Sequence, residues 1–306
     1  MRRPTAASLW RRELARELVR SYARRPGVEL ILLGGSPARG WADRYSDLDI
    51  VLYWRTLDER WIRSRPLEWH GARFITLLDM PEHRAMLEIY TLGGLIVELG
   101  HATTASLRRE IAGVTKEHRA DPAAINSLGG FLDALPLYGR ERHRAIVSSL
   151  PPYPDALARK VVERNAAFFW KGCLRHQGLS RGESVFVSDG ICAMIKRLVA
   201  ILAALNRLYY WPGEPRWIDR WAGRMKTCPQ GLWPRLKRMM EGDRAKALSE
   251  LEALIAEVLA LVKKHMPEAD LSRARQFEGL EVRATERPPA INGATRTALN
   301  KRRVKG

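Results

Sequence analysis

The segment of residues 32–54, LLGGSPARGWADRYSDLDIVLYW, constrains the fold of this chain more than any other. An apolar run at residues 28–33 predicts a buried strand, which breaks off at Gly34-Gly35-Ser36-Pro37. Serine is a favoured helix N-cap and proline a favoured first helical residue, so Ser36 and Pro37 predict the start of a short helix. A second apolar run at residues 47–53 predicts the next strand.

Two features of this segment predict a phosphate and metal site. Exposed amide groups at the start of a helix bind phosphate, and Gly35 lets the backbone approach a ligand closely. Asp47 and Asp49 lie two residues apart on the predicted strand, so their side chains share one face. Two carboxylates repel each other unless a cation lies between them, and oxygen ligands beside phosphate indicate magnesium. The segment therefore predicts phosphoryl or nucleotidyl transfer.

The order of these residues adds a resemblance to a known family. The matching positions are Gly35-Ser36, Ala38-Arg39-Gly40, Ser46 and Asp47-Leu48-Asp49. They resemble the nucleotidyltransferase superfamily related to DNA polymerase beta, in the version found in aminoglycoside and lincosamide antibiotic adenylyltransferases. The resemblance implies that Gly35 and Ser36 hold the triphosphate of ATP, with Arg39 either capping the loop or contacting phosphate. It also implies that Asp47 and Asp49 bind one or two magnesium ions.

The resemblance further implies a third carboxylate on a later strand, and Glu98 is the best candidate. Glu98 lies within the apolar run LIVEL, where an unpaired charge is unfavourable. It would complete the magnesium site or act as the base on the acceptor hydroxyl; the alternative is a surface-facing strand residue. Asp79 and Glu88 are rival candidates, although Asp79 looks more like a strand-end or turn residue. His101, close by, is interpreted as structural.

Strand patterns stop near residue 100, and helical periodicity follows. The predicted strands are 28–33, 47–53, 73–78, 86–92 and 95–99, and the main predicted helices are 8–24, 153–176, 189–210 and 243–265. The predicted fold class is α+β. A small mixed-sheet nucleotidyltransferase domain spans residues 1–138, an α-helical bundle domain spans 139–267, and a basic tail at 268–306 is predicted to be disordered.

The segment of residues 196–217 looks like part of the C-terminal helical bundle of antibiotic-adenylyltransferase-like proteins. Such bundles cover the nucleotide and supply the acceptor pocket. Lys196 is therefore the candidate for a further triphosphate contact, and a solvated helix face is the alternative. The tryptophans of the region are interpreted as packing residues: Trp211, Trp217, Trp221 and Trp233.

The charge of the chain bears on its partners. There are 52 Lys and Arg residues against 34 Asp and Glu residues, a net charge of +18. Such a balance favours polyanionic partners such as nucleoside triphosphates or RNA. Residues 1–138 carry +3 and residues 139–267 carry +11, so most of the excess lies on the predicted helical domain. A polycationic aminoglycoside is therefore a less suitable acceptor, and a neutral or anionic acceptor, including RNA, stays open.

The remaining signals concern location. Cys173, Cys192 and Cys228 are far apart and lack metal-ligand spacing, which predicts a reduced compartment and no zinc site. The basic N-terminal segment lacks the apolar region of a signal peptide, and no run of 18 apolar residues occurs. A cytoplasmic protein without a membrane span is predicted.

These observations together predict an enzyme. It transfers AMP from ATP to a hydroxyl of a small antibiotic-like acceptor, with magnesium, and releases pyrophosphate. One alternative is transfer to a macromolecule, as protein adenylylation or as nucleotide addition to RNA of the toxin–antitoxin type. The other is a catalytically inactive nucleotide-binding module, although such a relic need not keep mutually repelling carboxylates.

Overall fold

A computed structural model describes residues 3–81, 85–167, 173–213 and 215–276. In this part of the chain six strands form one mixed sheet in the order β3-β4-β5-β2-β1-β6. Their bounds are β1 (Val28–Leu33), β2 (Leu48–Trp54), β3 (Arg73–Met80), β4 (Ala85–Leu92), β5 (Leu95–Thr103) and β6 (Leu135–Tyr138). β2 and β5 run parallel, and the other described neighbours are antiparallel.

Helices surround the sheet and continue beyond it. Those that precede or interrupt the sheet are α1 (Ala6–Leu18), α2 (Arg20–Ala23), α3 (Gly35–Arg39), α4 (Glu59–Ile62), α5 (Thr104–Thr115) and α6 (Pro122–Asp133). Those that follow it are α7 (Arg140–Ser148), α8 (Asp155–Ala166), α9 (Ser184–Leu205), α10 (Ile218–Ala222), α11 (Leu232–Glu241), α12 (Arg244–His265) and α13 (Ser272–Arg275). Short 3-10 and π turns lie at Pro66–His70, Leu174–Gly178 and Leu179–Arg181. The predicted α+β class, a mixed sheet followed by helices, is confirmed.

A glycine pair forms the β4–β5 turn, and β6 is a strand that the sequence pattern does not predict. Gly93 and Gly94 form a two-residue hairpin turn, and both have positive φ (57° and 86°), as such turns require. The segment of β6, LPLY, is four residues long and contains Pro136. It pairs with β1 at the edge of the sheet, where a missing amide donor is tolerated.

The two faces of the sheet have different covers because strand side chains alternate between faces. One face packs against α1 and α2 and is closed by a large apolar cluster that includes Ala15, Leu18, Tyr22, Ile31, Leu33, Ile50 and Leu52. The other face meets α5 and α6 through a smaller cluster: Leu30, Leu32, Tyr53, Leu107, Phe131 and Ala134. The second face is therefore only partly covered, and it is the face that carries Asp49.

The helices after the sheet share a separate core. α9 lies at its centre, and Ile191, Ile195, Leu198 and Leu202 form a buried apolar stripe along it. α5 and α6 also contribute to this core, although both precede the predicted domain boundary at residue 138. None of the described helices is long and apolar enough to cross a membrane.

The predicted tail begins within the described residues. The amide of Asp270 donates a hydrogen bond of 3.1 Å to Glu163 on α8, and Leu271 and Ala274 pack against the helical core. Residues 268–276 thus lie on the helical part of the protein. Residues 277–306, the rest of the predicted tail, lie outside the described residues.

Candidate active site

The glycine-rich turn after β1 starts α3, but not at the predicted residue. The N-cap is Gly34, with extended backbone, and α3 begins at Gly35, so the prediction of Ser36 as N-cap is wrong. The glycine pair completes the turn within two residues, because Gly35 adopts a φ of +60° that other residues rarely adopt. Ser36 consequently lies inside the helix and is buried.

Gly35 lies directly against Asp49. The amide of Gly34 donates a hydrogen bond of 2.8 Å to the carbonyl oxygen of Asp49, which fixes the start of α3 to β2. A β-carbon at Gly35 would overlap Asp49 Oδ2 and lie 2.9 Å from Asp49 Cγ. The turn therefore requires glycine at position 35 for two reasons: its positive φ, and the Asp49 carboxylate that fills the space of a β-carbon.

The register of the parallel strands brings two predicted carboxylates together. Asp49 on β2 pairs with Glu98 on β5, so their side chains are neighbours on the partly covered face. Asp47 precedes β2 by one residue instead of lying on the strand, yet its charge acts on both. Burial, followed by the charges of Asp47 and Glu98, raises the pKa of Asp49 to about 7. Burial and Asp47 also raise the pKa of Glu98.

α1 holds the loop that leads to these carboxylates. Arg11 is 2% exposed, and its Nε and Nη2 atoms donate hydrogen bonds of 3.0 and 2.6 Å to the carbonyl oxygen of Ser46. Arg12 donates bonds of 3.0 Å to the carbonyl oxygens of Pro37 and Ala38 on α3. Arg11 thus positions the loop before β2, and Arg12 positions α3, although helical periodicity would place both arginines among solvated charges.

Glu88, a rival third carboxylate, lies on the opposite, fully covered face. It is 0% exposed and accepts hydrogen bonds from the hydroxyls of Tyr90 (2.5 Å) and Tyr22 (3.4 Å). Trp54 Nε1 donates to His101 Nδ1 (3.1 Å), so the other ring nitrogen, Nε2, carries the proton and donates to Glu88 (2.8 Å). Glu88 and His101 therefore belong to a buried structural network.

Asp79 and Lys196 do not join the carboxylates. Asp79 is exposed on β3 and pairs with Arg63 at 2.8 Å. Lys196 is half-buried on α9, and among the described residues no ion pair involves it. Its triphosphate contact stays a prediction.

Arg216 is the cation that the helical part contributes to the site, and sequence reasoning missed it. Its charge lowers the pKa of both Asp49 and Glu98, against the larger effects that raise them. It lies in the connection between α9 and α10, directly before Trp217, whose ring centroid is 6.5 Å from that of Trp41. Trp41 lies two residues after α3, so this ring contact packs the connection against the C-terminal end of α3. An arginine in an irregular connection has no periodicity that would single it out.

Arg39 also lowers the pKa of Asp49, and Asp133 holds its side chain in place. Asp133, at the end of α6, accepts a bond of 2.8 Å from Arg39 Nε and two bonds from Arg224 (3.0 and 3.2 Å). Both guanidinium groups lie over the ring of Trp221, at 5.3 Å for Arg39 and 4.6 Å for Arg224. These contacts tie α3 to the helical part, and the side chain of Arg39 has a structural role whatever else it binds.

The donor set fits magnesium that arrives with a phosphate ligand. Within the described ranges, no three His, Cys, Asp or Glu side chains converge into a metal site of their own. Magnesium is usually held by one or two carboxylates together with substrate phosphates and water, not by a complete protein cage. Asp47 and Asp49 match that arrangement. Burial and then repulsion by Asp47 and Glu98 raise the pKa of Asp49, and the α3 turn lies beside it.

The raised pKa of Asp49 predicts how stability depends on pH in the absence of metal. The folded protein binds this proton more tightly than the unfolded chain between pH 3.8 and about 7. The contribution of Asp49 to the free energy of unfolding therefore falls as pH rises through that window. We therefore expect the Asp49→Asn variant to be more stable than wild type when thermal unfolding is measured in a chelator. The difference in stability should widen as pH rises and level off above about pH 7. A pH-independent difference would contradict the prediction.

Comparisons with known proteins do not identify the function of this chain. No family model matches the chain, and no curated protein does. Among solved structures, it is similar to a nucleotidyltransferase-like protein from Exiguobacterium sibiricum 255-15, with 13% sequence identity and a TM-score of 0.37 over 83% of this chain and 79% of that one. A similarity of this size carries no functional conclusion, so the function has to be inferred from the residues of the site.

Proposed function

We propose that this protein is a magnesium-dependent nucleotidyltransferase that transfers AMP from ATP to a hydroxyl group. The observation that carries the proposal is the register of β2 and β5, which makes Asp49 and Glu98 neighbours beside the Gly35 turn. Strand, glycine turn and paired carboxylates are the parts that nucleotidyl transfer needs, because the reaction depends on positioning and on neutralising charge.

Each group has a defined part in this scheme. The backbone at Gly35 and Ser36 would bind the triphosphate, and Asp47 and Asp49 would hold the metal. Bound magnesium would neutralise charge that develops on the phosphate oxygens. The acceptor oxygen attacks the α-phosphorus, the bond to the pyrophosphate oxygen breaks, and Glu98 takes the hydroxyl proton. Its raised pKa makes Glu98 a stronger base than an ordinary carboxylate.

Pyrophosphate release tests the proposal. Purified protein with magnesium and ATP should release pyrophosphate when an acceptor is present, and a chelator should stop the release. Substituting GTP, CTP and UTP measures the base preference. Nucleotide binding without pyrophosphate release over a broad set of small molecules, RNA and proteins would indicate the inactive binding module instead.

Transfer to RNA is the second candidate, favoured by the +11 charge of residues 139–267. A polyanion bound by these residues should dissociate steeply with salt, since binding releases counterions. Label from α-³²P-ATP in the RNA fraction of a cell extract, and not among small molecules, would select this candidate.

A further inference from the structure

A cavity of about 660 Å³ opens beside the carboxylates on the partly covered face of the sheet. Gly34, Gly35 and Asp49 form its edge at the candidate active site. Its floor is apolar and comes from side chains of the central strands, among them Leu32, Val51 and Leu87. Its walls are α5 and α6. The volume is in the range of sites that enclose a small molecule, and too small for a nucleic acid helix or a protein segment with its own fold.

The charges around the cavity suit an uncharged ligand better than a triphosphate. Besides Asp49, the arginine and carboxylate residues that line the cavity are Arg109, Arg119, Glu110 and Asp121, so these four leave no net charge. The arginines that act on Asp49, Arg39 and Arg216, are not among its lining residues. A polyphosphate gains most from these arginines and from the α3 turn, which borders the cavity only at its edge, whereas the four charged side chains inside the cavity offer it no excess of cations.

The geometry of phosphoryl transfer gives the cavity a role. The attacking and leaving oxygens lie roughly in line on opposite sides of the phosphorus. With pyrophosphate held towards Arg39 and Arg216, the acceptor hydroxyl needs a separate compartment that also borders Asp49, and the cavity meets that condition.

Two adjacent glycines of α6 have different surroundings, and the second of them lines the cavity. A β-carbon at Gly129 would overlap the carbonyl oxygen of Tyr209, so close packing against the connection after α9 explains that glycine. A β-carbon at Gly130 would meet no atom within 4 Å, although Gly130 lies within the helix. Glycine weakens a helix interior, and packing does not explain it at position 130. Gly130 instead lines the cavity and keeps its wall open.

We propose that this cavity is the acceptor site and that it takes a compact neutral or singly charged alcohol with an apolar surface. Resting on the proposed nucleotidyl transfer, this proposal adds the substrate class, and it excludes both polycations and RNA as acceptors. The apolar floor binds the body of the molecule, and the charged rim orients its polar groups. The reacting hydroxyl points to Asp49 at the edge of the cavity, where Glu98 is the strand neighbour of Asp49.

A filled cavity tests the proposal. Gly130→Trp places a large side chain in the cavity from its wall, and Gly130→Ala is the matched control that leaves most of the volume. Ala102→Leu fills the cavity from the floor on β5 and serves if the tryptophan variant does not fold. Each variant is assayed for pyrophosphate release with magnesium and ATP over neutral alcohols, singly charged alcohols, polycationic amino sugars and RNA. Equilibrium dialysis with α-³²P-ATP measures nucleotide binding separately.

The expected result is turnover of neutral or singly charged alcohols by wild type and Gly130→Ala. Gly130→Trp or Ala102→Leu should lower that turnover at least about tenfold, equivalent to about 1.4 kcal/mol, with ATP binding unchanged. Turnover that survives both filling variants, or turnover of RNA or polycations alone, overturns the acceptor site but leaves nucleotidyl transfer intact. No pyrophosphate from wild type with any acceptor overturns nucleotidyl transfer, and the acceptor site with it.

Discussion

Asp49→Asn is expected to abolish nucleotidyl transfer and, at the same time, to stabilise the metal-free protein. Asparagine keeps the size of the side chain but removes the charge that holds a cation, so turnover should fall by at least about 10²–10³-fold. The same charge is half-buried and repelled by Asp47 and Glu98. Removing it should raise the melting temperature in a chelator by about 2–4 °C for each kcal/mol of burial cost and repulsion that is relieved.

The control for this substitution is Asp79→Asn. Asp79 is also a strand aspartate, but it is exposed and paired with Arg63 away from the site. Pyrophosphate release and thermal unfolding should both stay near wild type in this variant, because exposed ion pairs contribute little. If Asp49→Asn kept full turnover, or if it lowered the melting temperature without metal, the assignment of Asp49 as a metal-binding carboxylate in a repelling cluster would be wrong.

Gly35→Ala is expected to have the second large effect. Alanine at a φ of +60° is strained, and its methyl group would overlap the carboxylate of Asp49. The substitution should lower the free energy of unfolding by more than about 1 kcal/mol and displace Asp49 from the α3 turn. Loss of ATP binding, measured by equilibrium dialysis, should accompany the loss of turnover.

Gly71→Ala separates the two causes. Gly71 has a φ of +78°, but a β-carbon there would meet nothing within 4 Å. This variant should therefore show the backbone strain alone, with unchanged turnover and nucleotide binding. Equal activity losses in the two variants would show that strain, and not the contact between Gly35 and Asp49, limits the reaction.

Sequence patterns predict those residues of the site that lie close together in the sequence or that break a local pattern. Gly35, Asp47 and Asp49 lie within one short segment, and Glu98 stands out as a charge within an apolar strand. The choice between Glu98 and Glu88 follows from alternation once the register is known, because Glu98 pairs with Asp49 while Glu88 points to the covered face. The sheet class could be predicted for the same reason, since its long strands have strong local patterns.

The contacts that support the site depend instead on tertiary structure. Arg11, Asp133 and Arg216 come from a helix face, a helix end and an irregular connection, and each has the local pattern of an ordinary surface charge. The proposed contact of Lys196 came from resemblance alone. Serine is common as an N-cap, which favours Ser36 there, but the positive φ of Gly35 completes the turn earlier.

The parallel pairing of β2 with β5 also determines when the site can form as the protein folds. Parallel neighbours need a long connection, and here the chain passes through α4, β3 and β4 before β5 meets β2. The antiparallel β3–β4–β5 meander is local, whereas the contact of Asp49 with Glu98 closes a long loop and is entropically slower to form. The acidic pair therefore exists only after most of the sheet has assembled. Gain of magnesium–ATP affinity during refolding would accordingly report completion of the sheet and not its first steps.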